Sequence, residues 1–150
     1  MRYLRGGSLQ TALRDEPYDL ESAARLLDQV ASALAVAHWA LAKNIDYGGV
    51  AYTEAGDVIG TPDYLSPEQV RSEPVTPKAD IYSLGLVLYE MLTGAHPFPE
   101  STPVERLFKQ LNEPVPPIAS LDQTAADGIN EVIQEATAKD PGQRFDDVLA

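Results

Sequence analysis

The sequence predicts a mainly α fold, in which helices pack around one buried central helix at about 77–93. Three observations predict it. Apolar residues recur every three or four positions over 20–41. The run 81–92 is apolar on almost every side, as a helix in the middle of a domain must be. A second amphipathic pattern covers 125–138. With 150 residues, 44% of them hydrophobic, the chain has material for the core of one domain.

In the first helix Leu20, Leu27, Val30, Leu34, Ala37 and Leu41 form the apolar stripe, with Glu21, Arg25, Asp28 and Gln29 off it, and Asp19 is placed to cap it. The pattern dissolves from Tyr47 to Glu73 into Gly, Pro, Thr and Asp. With turn signals at Gly60-Thr61-Pro62 and Ser66-Pro67, it reads as a long irregular segment of the kind that carries function. Thr76 suits the cap of the central helix, Pro77 its first position and Gly94 its end. Thr102-Pro103-Val104-Glu105 is a capping box opening a helix through Leu107, Phe108 and Leu111, which Pro114, Pro116 and Pro117 terminate. Ile129, Val132, Ile133 and Ala136 mark the apolar face of the next helix, stopped at Asp140-Pro141. Phe145 reads as the first turn of an unfinished one.

Composition removes several functions. A net charge of −12 repels phosphate backbones and anionic lipid, so nucleic acid is not an expected partner. With no cysteine there is no disulfide or thiolate site, and two separated histidines, His38 and His96, do not make a metal centre. No stretch approaches the roughly 18 uninterrupted apolar residues of a membrane span, and MRYLRGGSLQ lacks the apolar core of a secretory signal. The expected address is cytoplasmic.

Four strings in order carry a resemblance: MRYLRGGSL at 1–9, GTPDYLSPEQ at 60–69, KADIYSLGLVLYEMLTGAHPF at 78–98 and KDPGQRF at 139–145. Together they resemble the hinge and C-terminal lobe of the bacterial eukaryotic-like Ser/Thr protein kinases. The resemblance implies a partial kinase domain over 1–150. Met1 would stand at the gatekeeper position of a hinge remnant, with Arg2 and Leu4 offering backbone groups to an adenine edge. Gly60, Thr61, Tyr64 and Leu65 would form the substrate-positioning loop, Thr61 beside the attacking hydroxyl. Ser66-Pro67-Glu68 replaces the more usual Ala-Pro-Glu, and Glu68 would pair with Arg144 in a structural ion pair. Thr53 matches an activating phosphothreonine position, with Tyr52 and Thr61 as lesser candidates. Asp80 matches the Asp that braces the catalytic loop; with that loop absent, it reads as a charge at a helix N-terminus.

Phosphoryl transfer in this family needs ATP held by a Gly-rich loop and a strand Lys, a hydroxyl-orienting Asp, and Asn and Asp ligands for Mg2+. The chain has no such Gly-rich loop, Val-Ala-Ile-Lys, His-Arg-Asp or Asp-Phe-Gly. AVAH at 35–38 runs directly into WALAKNI at 39–45, whose last residues resemble those following Asp-Phe-Gly, so the domain reads as truncated at both ends and internally deleted near 38–40. Asp46, Asp57 and Asp63 have no magnesium-pair spacing and read as turn formers. No catalytic residue is intact and no cofactor is expected. The join preserves helical phase, predicting one helix from about 20 to 43, some 36 Å long, against a kink at Trp39 as the competing outcome. The expected function is an inactive, pseudokinase-like fragment. It would present the 60–68 loop and the 103–112 helix to a protein partner or substrate, with self-association through surface the deletion exposes. The alternatives are a Ser/Thr kinase complemented by the missing segments, and a helical interaction module.

Overall fold

The structure, a computed structural model, describes residues 18–41, 62–99, 102–119 and 123–147. It has five helices among these residues: α1 (Leu20–Leu41), α2 (Pro67–Val70), α3 (Lys78–Thr93), α4 (Pro103–Asn112) and α5 (Gln123–Ala136). Short 3-10 turns lie at Pro62–Tyr64 and Pro141–Gln143, and there is no strand among the described residues. The fold is mainly α.

Helix α3 is the centre. None of its residues is exposed, and Tyr82, Leu86 and Met91 are fully buried in one core cluster with Ala23, Val115 and Ile133. It starts one residue later than the sequence suggests. The Thr76 carbonyl accepts from the Ala79 amide and no side chain caps the start, because Pro77 itself occupies the cap position. Gly94 ends the helix in the left-handed region (φ 73°), donating to the Glu90 carbonyl, a conformation glycine takes without strain.

α3 packs mainly between α1 and α5. Helix α1 begins where Asp19 Oδ1 accepts from the Ser22 amide at 2.9 Å, and it runs as one helix past the 38–39 join to Leu41, with no loop at Trp39. Its contact face is turned from the predicted stripe: Ala23 and Ala31 are buried, while Leu20 and Val30 are 42% and 38% exposed. Small side chains at the contact let α1 approach α3, which leaves the larger ones to flank the seam. Approach is tight where Gly85 of α3 meets the end of α5. A Cβ on Gly85 would lie 2.7 Å from Thr137 Cγ2, so no larger residue fits there without movement.

Helix α4 carries the predicted cap in both directions: the Glu105 amide donates to Thr102 Oγ1 and Glu105 Oε2 accepts from the Thr102 amide. Its most buried residue is polar. Gln110 is wholly buried, whereas Phe108 and Val104 are 63% and 76% exposed. The proline-rich stretch after α4 is pinned to α5 by side-chain amides, Asn130 Oδ1 accepting from the Ile118 amide and Gln134 Nε2 donating to the Val115 carbonyl. α5 itself starts and ends two residues before the predicted bounds, and its Val132 is 45% exposed. Residues 144–147 form bends rather than the expected first helical turn, because Arg144 and Asp146 are drawn to Lys78, whose Nζ donates to the Arg144 carbonyl and to Asp146. No helix among the described residues is long and apolar enough to cross a membrane.

Candidate functional site

The residues that the sequence singles out at 62–68 form a bracket with an anchor at each end. At the C-terminal anchor, Ser66 opens α2, Gln69 Oε1 accepting from both its amide and its hydroxyl, which points Glu68 inward. There the Arg144 guanidinium meets Glu68 side-on, Nη1 to Oε1 at 2.7 Å and Nη2 to Oε2 at 2.8 Å. The two side chains are 0% and 3% exposed. Nη1 also donates to the Lys78 carbonyl and Nε to the Ala138 carbonyl, and the guanidinium lies 5.0 Å from the centre of the Tyr82 ring. Burial alone would raise the Glu68 carboxyl, but the bonds from Arg144 and the local amides outweigh it and hold the carboxyl below its usual range. One arginine thus ties α2, the start of α3 and the end of α5 together.

At the N-terminal anchor the backbone of Asp63 is the hub. Phe98 donates its amide to His96 Nδ1, which leaves the proton on Nε2, and Nε2 donates to the Asp63 carbonyl at 2.8 Å. Gln110 Nε2 donates to the same carbonyl, and the Asp63 carboxylate pairs with Arg106. Tyr64 donates through its hydroxyl to Glu90 at 2.6 Å, and its carbonyl accepts from Ser83 Oγ at 2.7 Å. Burial and the Glu90 carboxylate both raise the Tyr64 phenol, while burial lowers the His96 imidazolium, so both stay neutral near pH 7. Leu65 is half-buried between the anchors.

Sequence reasoning missed Arg106, Gln110, His96 and Glu90. Arg106 and Gln110 are one helical turn apart, so a shared face was visible. What they reach is a backbone carbonyl and a turn carboxylate, and no residue pattern announces that. Asp63, read as a turn former, lies in the 3-10 turn Pro62–Tyr64 and is also an ion-pair partner. Asp80 lies in the first turn of α3, at the positive end of the helix dipole. Met1, Arg2, Leu4, Thr53, Gly60, Thr61, Asp46 and Asp57 lie outside the described residues, as do the side chains of His38 and Trp39. No group of three or more His, Cys, Asp or Glu among the described residues is placed to hold a metal ion.

Comparison with known proteins gives these anchors a context. The family model described as protein kinase domain matches residues 39–146. Serine/threonine-protein kinase PknB of Mycobacterium tuberculosis is 39% identical over 123 residues, covering 81% of this chain and 20% of that protein. PknB of Mycolicibacterium smegmatis is 39% identical over 115 residues, covering 76% of the chain and 18% of the relative. A Corynebacterium efficiens protein described as a probable serine/threonine-protein kinase is 32% identical over 176 residues, covering 97% of the chain and 27% of its own length. The chain therefore spans about a fifth to a quarter of these relatives. The last alignment is longer than the 150-residue chain itself, so part of the relative within it has no counterpart here. With the family model covering most of the chain and its helical lobe described above, the protein belongs to the protein kinase family, among the relatives of the bacterial Ser/Thr kinases.

Proposed function

We propose that this chain is the helical lobe of a Ser/Thr kinase domain that has lost the segment between its first helix and its substrate loop, and that it does not transfer phosphate by itself. The observation that carries the proposal is the uninterrupted α1, which passes through the 38–39 join and leads into WALAKNI without the His-Arg-Asp and Asp-Phe-Gly segments between. The overlong Corynebacterium alignment supports the same reading. Without the hydroxyl-orienting Asp and both metal-binding residues, the electrostatic stabilisation that phosphoryl transfer depends on has no source in this chain.

On this reading no residue is catalytic and neither ATP nor Mg2+ is a resident cofactor. The 60–68 loop and the 103–112 helix serve to present a protein-binding face, and a cytoplasmic address is part of the proposal. Glu68 and Arg144 keep that loop docked; Tyr64 and Leu65 shape it.

A second reading has a specific observation in its favour, since the relatives named above are described as Ser/Thr kinases. A separate polypeptide would supply the missing segment and complete an active site in trans. Melting the protein with and without millimolar MgATP tests the first reading. The expected result is an unchanged melting temperature; a saturable rise of several degrees would defeat it.

A further inference from the structure

The bend that follows α3 is fastened to the 62–64 turn through one imidazole, and both of its nitrogens are committed. Nδ1 of His96 accepts from the Phe98 amide at 3.1 Å, and Nε2 donates to the Asp63 carbonyl at 2.8 Å. The ring is half-buried, 6.1 Å from the Tyr64 ring and 6.0 Å from the Phe98 ring, and Phe98 itself is buried. A backbone N–H can only donate, so Nδ1 must be bare. Nε2 carries a proton in either charge state and can keep its bond to the carbonyl in both. Nδ1 carries one only in the imidazolium, and there the Phe98 N–H already occupies the direction the new proton needs.

We infer that His96 is an acid-released latch: protonation at Nδ1 takes away the acceptor of the Phe98 amide and loosens the 95–98 bend, while the Glu68–Arg144 pair stays closed. The titratable and charged groups facing the ring are Asp63 and Tyr64 of the 62–64 turn, Glu90 of α3 and Arg106 of α4. Both carboxylates that would welcome an imidazolium are already engaged, Asp63 with Arg106 and Glu90 with the Tyr64 hydroxyl. Burial, aided by the Arg106 charge, holds the imidazolium below its ordinary range against the Asp63 carbonyl bond and the two carboxylates. The closed bend thus selects the neutral ring. It is held fully above the value of a free imidazole, about 6.5, and loosens as pH falls below that. Asp63 also keeps Gln110 and Arg106, so the release is confined to the bend.

The test is amide hydrogen exchange of the full chain, followed by NMR from about pH 8 to about pH 5 and expressed as protection relative to the unstructured rate. Glu68, its carboxyl depressed, stays ionised throughout that range. Protection of the Phe98 amide is expected to fall by up to about tenfold per pH unit below about 6.5. That of Thr137, whose amide donates to the Ile133 carbonyl at the end of α5, is expected to hold. In His96→Asn the side-chain oxygen can accept the same amide in an Asx turn without titrating, so protection there is expected to be independent of pH. A Phe98 amide unprotected at neutral pH, protection that does not change with pH in the unaltered chain, a fall shared with Thr137, or a fall that persists in His96→Asn would each overturn the inference. Ring nitrogen shifts of the unaltered protein, with His38 alone to tell apart, keep the test decisive if the variant unfolds. They are expected to show a bare Nδ1 at neutral pH that is protonated in step with the loss of Phe98 protection, and a proton on Nδ1 at neutral pH would overturn the latch.

Discussion

The two ends of the 62–68 bracket are held by opposite means. At Glu68 one fully buried ion pair with four donated bonds does the holding, and at Asp63 the task is divided among a neutral imidazole, a side-chain amide and an ion pair whose side chains are 19% and 20% exposed. A buried charge cannot lose its partner without being left in a medium that solvates it poorly. A distributed set of partly wet bonds can lose one member and let water replace it. The Glu68 end should therefore fail all at once and the Asp63 end by degrees.

The largest expected effect follows from the first half of that contrast. Arg144→Ala or Glu68→Ala should cost about 3 to 5 kcal/mol in urea unfolding, because each strands the other's charge. A loss below about 1 kcal/mol would mean that the pair is solvated in solution. Acid separates the two ends further. The Glu68 carboxyl is depressed in the folded protein, so its contribution is present above the unfolded value of about 4.5 and is lost as pH falls below that, through the folded value. Glu68→Gln should flatten the stability profile in that window, and an identical acid slope in the variant would show that other carboxylates carry it.

Next in size is Gly85→Ala, which drives a Cβ into Thr137 at the α3–α5 contact and should cost about 1 to 3 kcal/mol without touching either anchor. Pairing it with Thr137→Ser, which removes the offending methyl, should restore part of the loss. Absence of any rescue would place the strain elsewhere. At the Asp63 end, a double-mutant cycle of Asp63→Asn with Arg106→Ala should give a coupling of about 1 kcal/mol. A coupling equal to that of the buried pair would erase the distinction between the two ends. Phe108→Ala should shift stability by less than about 0.5 kcal/mol, since its ring is 63% exposed, so any loss of partner binding in that variant is a surface effect.

Legibility in the sequence followed the range of the interaction. The Asp19 cap, the Thr102–Glu105 box and the Gly94 stop are local, four residues or fewer, and the residue types alone specify them. The central position of α3 was readable because a helix apolar on every side has only one place to go. Glu68 and Arg144 lie 76 residues apart, and only the likeness of two short strings to a family joined them beforehand. The Asp63 hub was not legible, because its acceptor is a backbone carbonyl that every residue possesses. Periodicity located α1 but placed Leu20 and Val30 on its apolar stripe, where Ala23 and Ala31 are the buried residues. On α4 the buried Gln110 donates to the Asp63 carbonyl, and on α1 alanines are buried where helices must approach.

The central claim is that this lobe keeps the fastening of a substrate loop while lacking the chemistry it once served. The most direct measurement is transfer of the γ-phosphate of labelled ATP by the purified chain, with Mg2+ and a generic basic protein substrate, beside a Thr61→Ala, Glu68→Ala double variant. The account predicts the same background for both proteins. Incorporation by the unaltered chain that rises with time and enzyme above the variant's would contradict it.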